Sequence, residues 1–340
     1  MFSPEIGIDL GTSNTTIYVR GRGVVVSEPS IIVRDAKNKR LVVAVGDDAY
    51  VMFGRVNDQL ETVFPLRNGS IVDFEMTAAL LKSLIRKAIG SSHFMKPKAV
   101  IAVPSTLSAV ERRAVEEAAH QAGVKHVFLV EKPYAAAIGS GLPVYEPVGS
   151  MVVDIGGGTT DVALVSLGGM VVAHSVRLGG NKMDEAIAAY ILREHKVSIG
   201  IRTAEKLKKD FGTAIPLSHN TRSKIVGTPY GTGPHNAKEV IFDTQQCYEA
   251  LRDPCQSVLT AIKWVLERTP PELAGDIMRG GIHLTGGGTQ LYGMDQFIAE
   301  ELNIPVLLAR EPMDCTIMGL GYLVENMNLL MSFSGQTAEE

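Results

Sequence analysis

Two short stretches carry residues suited to holding a polyphosphate. Met151 to Asp161 reads Met-Val-Val-Asp-Ile-Gly-Gly-Gly-Thr-Thr-Asp, and apolar residues resume from Val162 to Val165. That pattern is strand, tight turn, strand. A glycine turn lets backbone N–H groups reach a large anion with no Cβ in the way. Asp154, at the strand end, can hold a hydrated Mg²⁺ against phosphates. Ile6 to Thr16 repeats the layout as Ile-Gly-Ile-Asp-Leu-Gly-Thr-Ser-Asn-Thr-Thr, followed by apolar Ile17, Tyr18 and Val19. Asp9 and Asp154 are therefore equivalent positions in two halves of one chain. Two phosphate hairpins, one per lobe, could close on a nucleotide from both sides. A third stretch, Ile282 to Thr289, reads as a strand ending in a glycine loop that opens a helix near Met294. A bare backbone there would let an adenosine ring lie flat. One glycine turn alone occurs in ordinary hairpins; the ordered trio is what is specific.

The elements that must position these residues follow from periodicity. Asp73 can cap a helix to Ile89 with an apolar stripe of Leu80, Leu81, Leu84, Ile85 and Ala88, ended by Gly90. Ser108 to Glu111 is a capping box opening a helix that stops at Gly123. Ala99 to Val103 and Val127 to Val130 are strands, and Glu28-Pro29-Ser30 interrupts the strand begun at Val24. Pro133 to Gly139 suits a small-residue helix packed tightly at a lobe junction. In the second half a helix follows Gly179-Gly180, and another starts at Thr203 and carries Glu205, Lys208 and Lys209. Residues 212–237 read as loops. Cys247 to Arg268 is helical and ends at Pro270-Pro271, and Met318 to Met327 forms a last helix. The architecture is two α/β lobes, a diverged duplication, each with an insertion. Lobe I takes residues 1–32, 65–145 and 310–340 with an insert at 33–64. Lobe II takes 146–180 and 243–309 with an insert at 181–242.

Composition sets bounds on this. The chain has 340 residues, is 45% hydrophobic and carries a net charge of −4, with no basic stretch dense enough for a nucleic-acid footprint. Cys247, Cys255 and Cys315 form no CxxC and suggest buried thiols in a reducing compartment. No signal peptide is expected so close to the Asp9 motif, and no run of about eighteen apolar residues occurs that could span a membrane. The segment after Phe333 reads as disordered.

These residues resemble the actin, sugar kinase and 70-kilodalton heat-shock ATPase superfamily, and within it the MreB and Mbl branch of bacterial actins. The carriers are Ile6-Gly-Ile-Asp-Leu-Gly-Thr, Asn68-Gly-Ser-Ile-Val-Asp-Phe, Ala135-Ala-Ala-Ile-Gly, Asp154-Ile-Gly-Gly-Gly-Thr-Thr, Arg202-Thr-Ala-Glu, Glu267-Arg-Thr-Pro-Pro-Glu-Leu and Leu284-Thr-Gly-Gly-Gly. The Arg-Thr-Pro-Pro-Glu-Leu block belongs to the branch alone. The resemblance implies an actin-like, ribonuclease H-like duplicated ATPase fold. It implies an ATP-binding protein that polymerises with itself into filaments on the inner face of the cytoplasmic membrane and guides the cell-wall elongation machinery and rod shape. By motif, Gly11, Thr12, Ser13 and Asn14 approach the phosphates from lobe I, and Gly156, Gly157, Gly158 and Thr159 from lobe II. Asp9 and Asp154 hold Mg²⁺ through water. Glu205 and Lys208 stand where the family contacts the ribose, or form a solvated ion pair. Gly286, Gly287, Gly288 and Thr289 cradle the adenosine.

One departure matters. Relatives usually read Glu-Glu-Pro before the alanine helix, with the second Glu near the attacking water; here the chain reads Glu131-Lys132-Pro133. A carboxylate can orient water or accept its proton. A protonated lysine has donors and no acceptor. Lys132 could instead pair with the γ-phosphate, giving ATP binding with weak or absent hydrolysis. Alternatively Lys132 swings into solvent and Thr159 and Asp161 orient the water. Ile201, where the family commonly has Glu, has no functional account.

Met1-Phe2, and Phe94-Met95 beside Lys96 and Lys98, are candidate lipid contacts, each weak alone and firm when repeated along a filament; Phe94 tucked into the protein is the competing reading. A small-molecule kinase or a chaperone-type ATPase on the same fold are the alternatives in function. The first needs a carboxylate base and a sugar pocket, and no sugar motif is found.

Overall fold

The computed structural model describes residues 3–90, 96–231 and 236–327. Strands β1 (Glu5–Leu10) and β2 (Asn14–Val19) form the first Asp-Gly hairpin, and β3 (Gly23–Pro29) extends it. A small sheet follows, made of β4 (Ile32–Asp35), β5 (Val42–Val45) and β6 (Leu60–Val63), with helix α1 (Asp47–Met52) between the last two. The short pair β7 (Leu66–Arg67) and β8 (Ser70–Ile71) leads to α2 (Phe74–Ile89), β9 (Lys98–Val103), α3 (Ala109–Gln121), β10 (His126–Glu131) and α4 (Lys132–Gly139).

The second half opens with β11 (Ser150–Ile155), β12 (Thr160–Ser166) and β13 (Gly169–Val176). Then come α5 (Gly180–His195), β14 (Val197–Ser198), α6 (Ile201–Phe211), β15 (Arg222–Pro229) and β16 (Lys238–Asp243). Helices α7 (Thr244–Leu266) and α8 (Pro271–Gly280) precede β17 (Ile282–Thr285) and a 3₁₀ turn at Gly287–Gln290. The chain continues through α9 (Met294–Leu302), β18 (Val306–Leu308) and α10 (Cys315–Glu325).

The duplication is written in the strand order. One five-stranded sheet runs β10-β9-β1-β2-β3 and the other β18-β17-β11-β12-β13. In each, the central strand pairs antiparallel with the next strand in sequence and parallel with its other neighbour. Parallel neighbours need helical crossovers, which α2, α3, α7, α8 and α9 supply. Asp9 and Asp154 thus stand at matched places, near the C-terminal ends of the two central strands. Strands β11 and β12 are buried along their whole length, as continuous apolar runs require when both faces are covered.

The local signals act as expected. The Asp73 carboxylate accepts from the Met76 N–H at 3.1 Å, and Gly90 ends α2 at φ 84°. Ser108 and Glu111 form the reciprocal capping box of α3. The three cysteines are buried and free. Other elements depart from the sequence pattern. Within the loop-like composition of 212–237, β15 forms because Ile225 pairs in register with Val240 and both are buried. Helix α8 forms because Pro271 sits in its first turn, where proline starts a helix rather than ending one. Strand β3 continues through Glu28 to Pro29, since it lies at a sheet edge where a missing N–H is tolerated. Helices α6 and α10 begin at Ile201 and Cys315, ahead of Thr203 and Met318.

Two helices tie the sheets together by exchange. Helix α4 leaves the end of β10 and packs on β11 and β12, while α10 follows β18 and packs on β1 and β2. They also pack on each other, and Ala135, Ala136 and Ala137 are fully buried. The contact is backbone to backbone: a Cβ on Gly319 would run into the Ala135 carbonyl oxygen, and one on Gly139 into that of Cys315. The small-residue helix at the lobe junction is therefore held by two facing glycines. Gly319→Ala should force the pair apart and cost about 1–3 kcal/mol, read as a lowered midpoint in thermal or urea unfolding; an unchanged midpoint would contradict the close approach.

Candidate functional site

Between the two sheets lies a cavity of about 530 Å³, within the size range of small-molecule sites. Both hairpins line it. From the first come Asp9, Gly11, Thr12, Ser13 and Asn14; from the second Asp154, Gly156, Gly157, Gly158 and Thr159. Lys132 enters from the start of α4, Glu205 and Lys208 from α6, and Gly286, Gly287 and Gly288 from the turn after β17.

The hairpin tips meet. A Cβ on Gly157 would overlap the Ser13 side chain, and one on Gly158 the Thr12 side chain, so glycine is required at both. The Ser13 hydroxyl donates to Asn181 Oδ1 at 3.0 Å, and the Thr12 hydroxyl accepts from the Gly69 N–H at 2.9 Å. The N-terminus of α5 is fastened to the second hairpin: the N–H groups of Gly180 and Asn181 donate to the carbonyls of Gly156 and Gly157 at 2.9 and 2.8 Å. These bonds use N–H groups that a helix start leaves without partners.

The charged centre is Asp9, Lys132 and Asp154. In the paired registers Asp9 lies opposite Thr16, and Asp154 opposite Asp161. The Lys132 ammonium stands 3.4 Å from Asp9 Oδ1 and 3.7 Å from Asp154 Oδ2, with only 13% of its side chain exposed. Neither of those two buried oxygens accepts a hydrogen bond. Asp154 Oδ1 accepts from the Thr285 hydroxyl at 3.2 Å. Burial pushes the Asp154 carboxyl up to about 6, against the pull of Lys132. Burial also opposes charge on Lys132, but Asp9, Asp154 and Asp161 outweigh it and hold the ammonium above the ordinary lysine range. Lys132 is thus a cation pointing into the cleft, not a side chain swung into solvent. Two carboxylate oxygens without donors, facing one gap, also suit a hard divalent cation that takes its remaining ligands from phosphate and water.

Neighbouring residues are committed elsewhere. Glu131 turns away to Arg112 at 2.7 Å. Asp161 is fully buried behind Thr159, accepting from its hydroxyl at 2.8 Å and from Ser175, and does not reach the cavity wall. Thr289 also lies behind the wall, donating to the Gly286 carbonyl at 2.6 Å. Lys208 pairs with Asp184 at 2.8 Å and donates to the Gly180 carbonyl at 2.8 Å, whereas Glu205 pairs with Lys209 at 2.7 Å. Asn181 and Asp184 also line the cavity. Sequence reasoning did not single them out, although their place just after Gly179-Gly180, at a helix start, is a usable signal.

The family model of the MreB/Mbl protein matches residues 3–332. The chain belongs to the MreB/Mbl family. It is 44% identical over 330 residues to the cell shape-determining protein Mbl of Bacillus subtilis (strain 168), covering 97% of this chain and 98% of that protein. It is 42% identical over 334 residues to the cell shape-determining protein MreB of Escherichia coli (strain K12), covering 97% and 95%. Among solved structures, MreB5 of Spiroplasma citri bound to AMPPNP superposes with a TM-score of 0.90 at 33% identity, covering 98% of this chain and 99% of that one. The two-lobe duplicated fold is therefore the actin-like one that the motifs imply. Among the described residues no helix is long and apolar enough to cross a membrane.

A contact that sequence reasoning missed joins α6 to the end of α1. Arg202, at the start of α6, donates to the Phe53 carbonyl at 2.9 Å, and its guanidinium lies over the rings of Tyr50 and Phe53, 4.9 and 5.9 Å from their centroids. The same helix lines the cavity with Glu205 and Lys208 one and two turns further on. Arg202→Ala should speed amide hydrogen exchange across α1 and α6 while leaving β1 and β11 protected. The expected loss is about 1 kcal/mol of clasp energy; unchanged exchange in both helices would refute the clasp.

Proposed function

We propose that this protein binds ATP between its two lobes and, in that state, assembles with itself into filaments on the inner face of the cytoplasmic membrane, where they guide cell-wall synthesis and rod shape. The observation that carries the reading is the pair of equivalent Asp-Gly hairpins meeting across one cavity, with the glycine turn after β17 as a third wall. Thr12, Ser13 and Asn14 would take the phosphates from one side and Gly156 to Thr159 from the other, and Gly286 to Gly288 would hold the adenosine. The AMPPNP bound by the Spiroplasma citri relative supports ATP as the ligand here. Asp9 and Asp154 would hold Mg²⁺, which when bound neutralises phosphate charge. Residues 33–64 and 181–242 would form the inserted subdomains.

Self-assembly is supported by exposed apolar side chains on the β4-β5-β6 unit and on the three-stranded sheet β14-β15-β16. Leu41 and Val43, at and just before β5, and Val51 on α1 are exposed on the first, and Val226 and Ile241 on the second. Unlike patches that complement each other head to tail generate an open filament rather than a closed ring. Membrane contact is assigned to Met1, Phe2, Phe94 and Met95, which lie outside the described residues; repetition along a filament would turn weak single contacts into firm binding. With ATP and vesicles of anionic lipid, electron microscopy should show filaments lying on the bilayer. Protein that stays monomeric with ATP, or filaments that ignore the vesicles, would refute assembly and membrane contact respectively.

Hydrolysis is proposed to be weak or absent. A water beside the terminal phosphate meets the Lys132 ammonium, which has no lone pair to accept a proton or a hydrogen bond. The alternative the sequence offers for orienting water is the Thr159 hydroxyl, which lines the cavity and donates to Asp161 at 2.8 Å. Lys132→Glu should raise phosphate release under single-turnover conditions by roughly 10²-fold, the usual worth of a positioned general base; equal rates in both proteins would sink this part of the reading.

A further inference from the structure

Resting on the nucleotide reading above, we propose that Lys132 is a built-in cation seated between Asp9 and Asp154, so that this protein takes up nucleoside triphosphate with little dependence on a divalent metal. Its ammonium lies at ion-pair distance from two carboxylate oxygens that, among the described residues, no other group serves, 3.4 Å from one and 3.7 Å from the other. A divalent ion held by the same pair would want those same two oxygens.

The lysine enters from a rigid base. It is the first residue of α4, directly after β10, and it is followed by Pro133 and three fully buried alanines. The glycine contact between α4 and α10 fixes that helix against both sheets. The backbone from which the lysine reaches is therefore set by the lobe junction, and the two carboxylates hold its ammonium. The other amines at the cavity are spoken for: Lys208 by Asp184 and the Gly180 carbonyl, Lys209 by Glu205. Lys132 alone among these three stands on the carboxylates that would hold a metal.

Charge counting gives the consequence. Asp9 and Asp154 face the cavity with two negative charges, Asp161 stands behind them, and Lys132 cancels one. A glutamate in its place would leave three facing an incoming polyphosphate, which a metal ion would offset. With lysine, the cleft can receive the polyphosphate on its own cation, and a divalent ion has to displace or share with that ammonium. If Lys132 served only to neutralise buried carboxylates, replacing it would move stability and leave metal dependence as it was.

The test measures binding of a fluorescent ATP analogue, by anisotropy, to wild type, Lys132→Gln and Lys132→Glu, in Mg²⁺ and in EDTA. Mn²⁺ binding to the nucleotide-free proteins is followed in parallel by electron paramagnetic resonance. Removing metal should weaken wild-type binding less than about tenfold and Lys132→Glu by about a hundredfold or more, with Lys132→Gln between them. Mn²⁺ should bind bare Lys132→Glu at least about tenfold more tightly than bare wild type. Wild type that loses nucleotide in EDTA as fully as Lys132→Glu would overturn the proposal, as would equal Mn²⁺ affinity of the two. Should Lys132→Glu fail to fold, the wild-type and Lys132→Gln titrations decide alone. Wild type that binds no nucleotide in either buffer would instead overturn the nucleotide reading, and this proposal with it.

Discussion

Two carboxylates from different sheets point into one gap, and a single ammonium stands between them. At a separation of about 4 Å and an effective dielectric near 20, each such opposite-charge contact is worth about 4 kcal/mol before desolvation. Asp154 is the more buried of the pair, and its raised pKa records the strain of keeping it charged. Lys132 is the cation that offsets the two carboxylates where the hairpins meet.

The duplication explains why the two aspartates meet at all. Each lies near the end of the central strand of its sheet, beside an antiparallel neighbour that completes the hairpin. Exchange of helices then fixes how the sheets face each other, since α4 covers the sheet it does not belong to and α10 does the same in return. Small residues make that exchange possible: with Ala135 to Ala137, Gly139 and Gly319 at the contact, backbones approach to a distance no larger side chain would allow. The same helix that locks the lobes carries Lys132 at its first position. Stability of the junction and charge in the cleft are thus set by one short segment.

Much of this was legible in the chain because it rests on local chemistry. The hairpins show as apolar runs ending in Asp and glycine, the helix caps as Asp73 and the Ser108 to Glu111 box, and the tight helix as three consecutive alanines and a glycine. What escaped was decided by partners distant in sequence. Strand β15 looks like loop until Val240 is placed beside Ile225. Helix α8 is the exception: its Pro271 is a local start signal that reads as the stop of the preceding helix. Arg202 reads as part of a motif on one helix, and its contacts with Tyr50 and Phe53 lie 149 or more residues away. Glu205 and Lys208 read as one pair, yet Lys208 turns to Asp184 on α5 and leaves Glu205 to Lys209.

The order of residues alone determined the family, the repeated hairpin, the equivalence of Asp9 and Asp154, and the presence of lysine at position 132, where the family resemblance leads to the expectation of glutamate. These are properties of residue type and spacing, which strand and turn chemistry convert directly into local structure. Only the folded molecule decided where the Lys132 ammonium goes, which of the predicted site residues stand behind the wall rather than on it, and that Arg202 joins α6 to Tyr50 and Phe53. A lysine side chain has several rotatable bonds and could have faced solvent. It faces inward because two buried carboxylates, brought together from opposite halves of the chain, offer it more than water does.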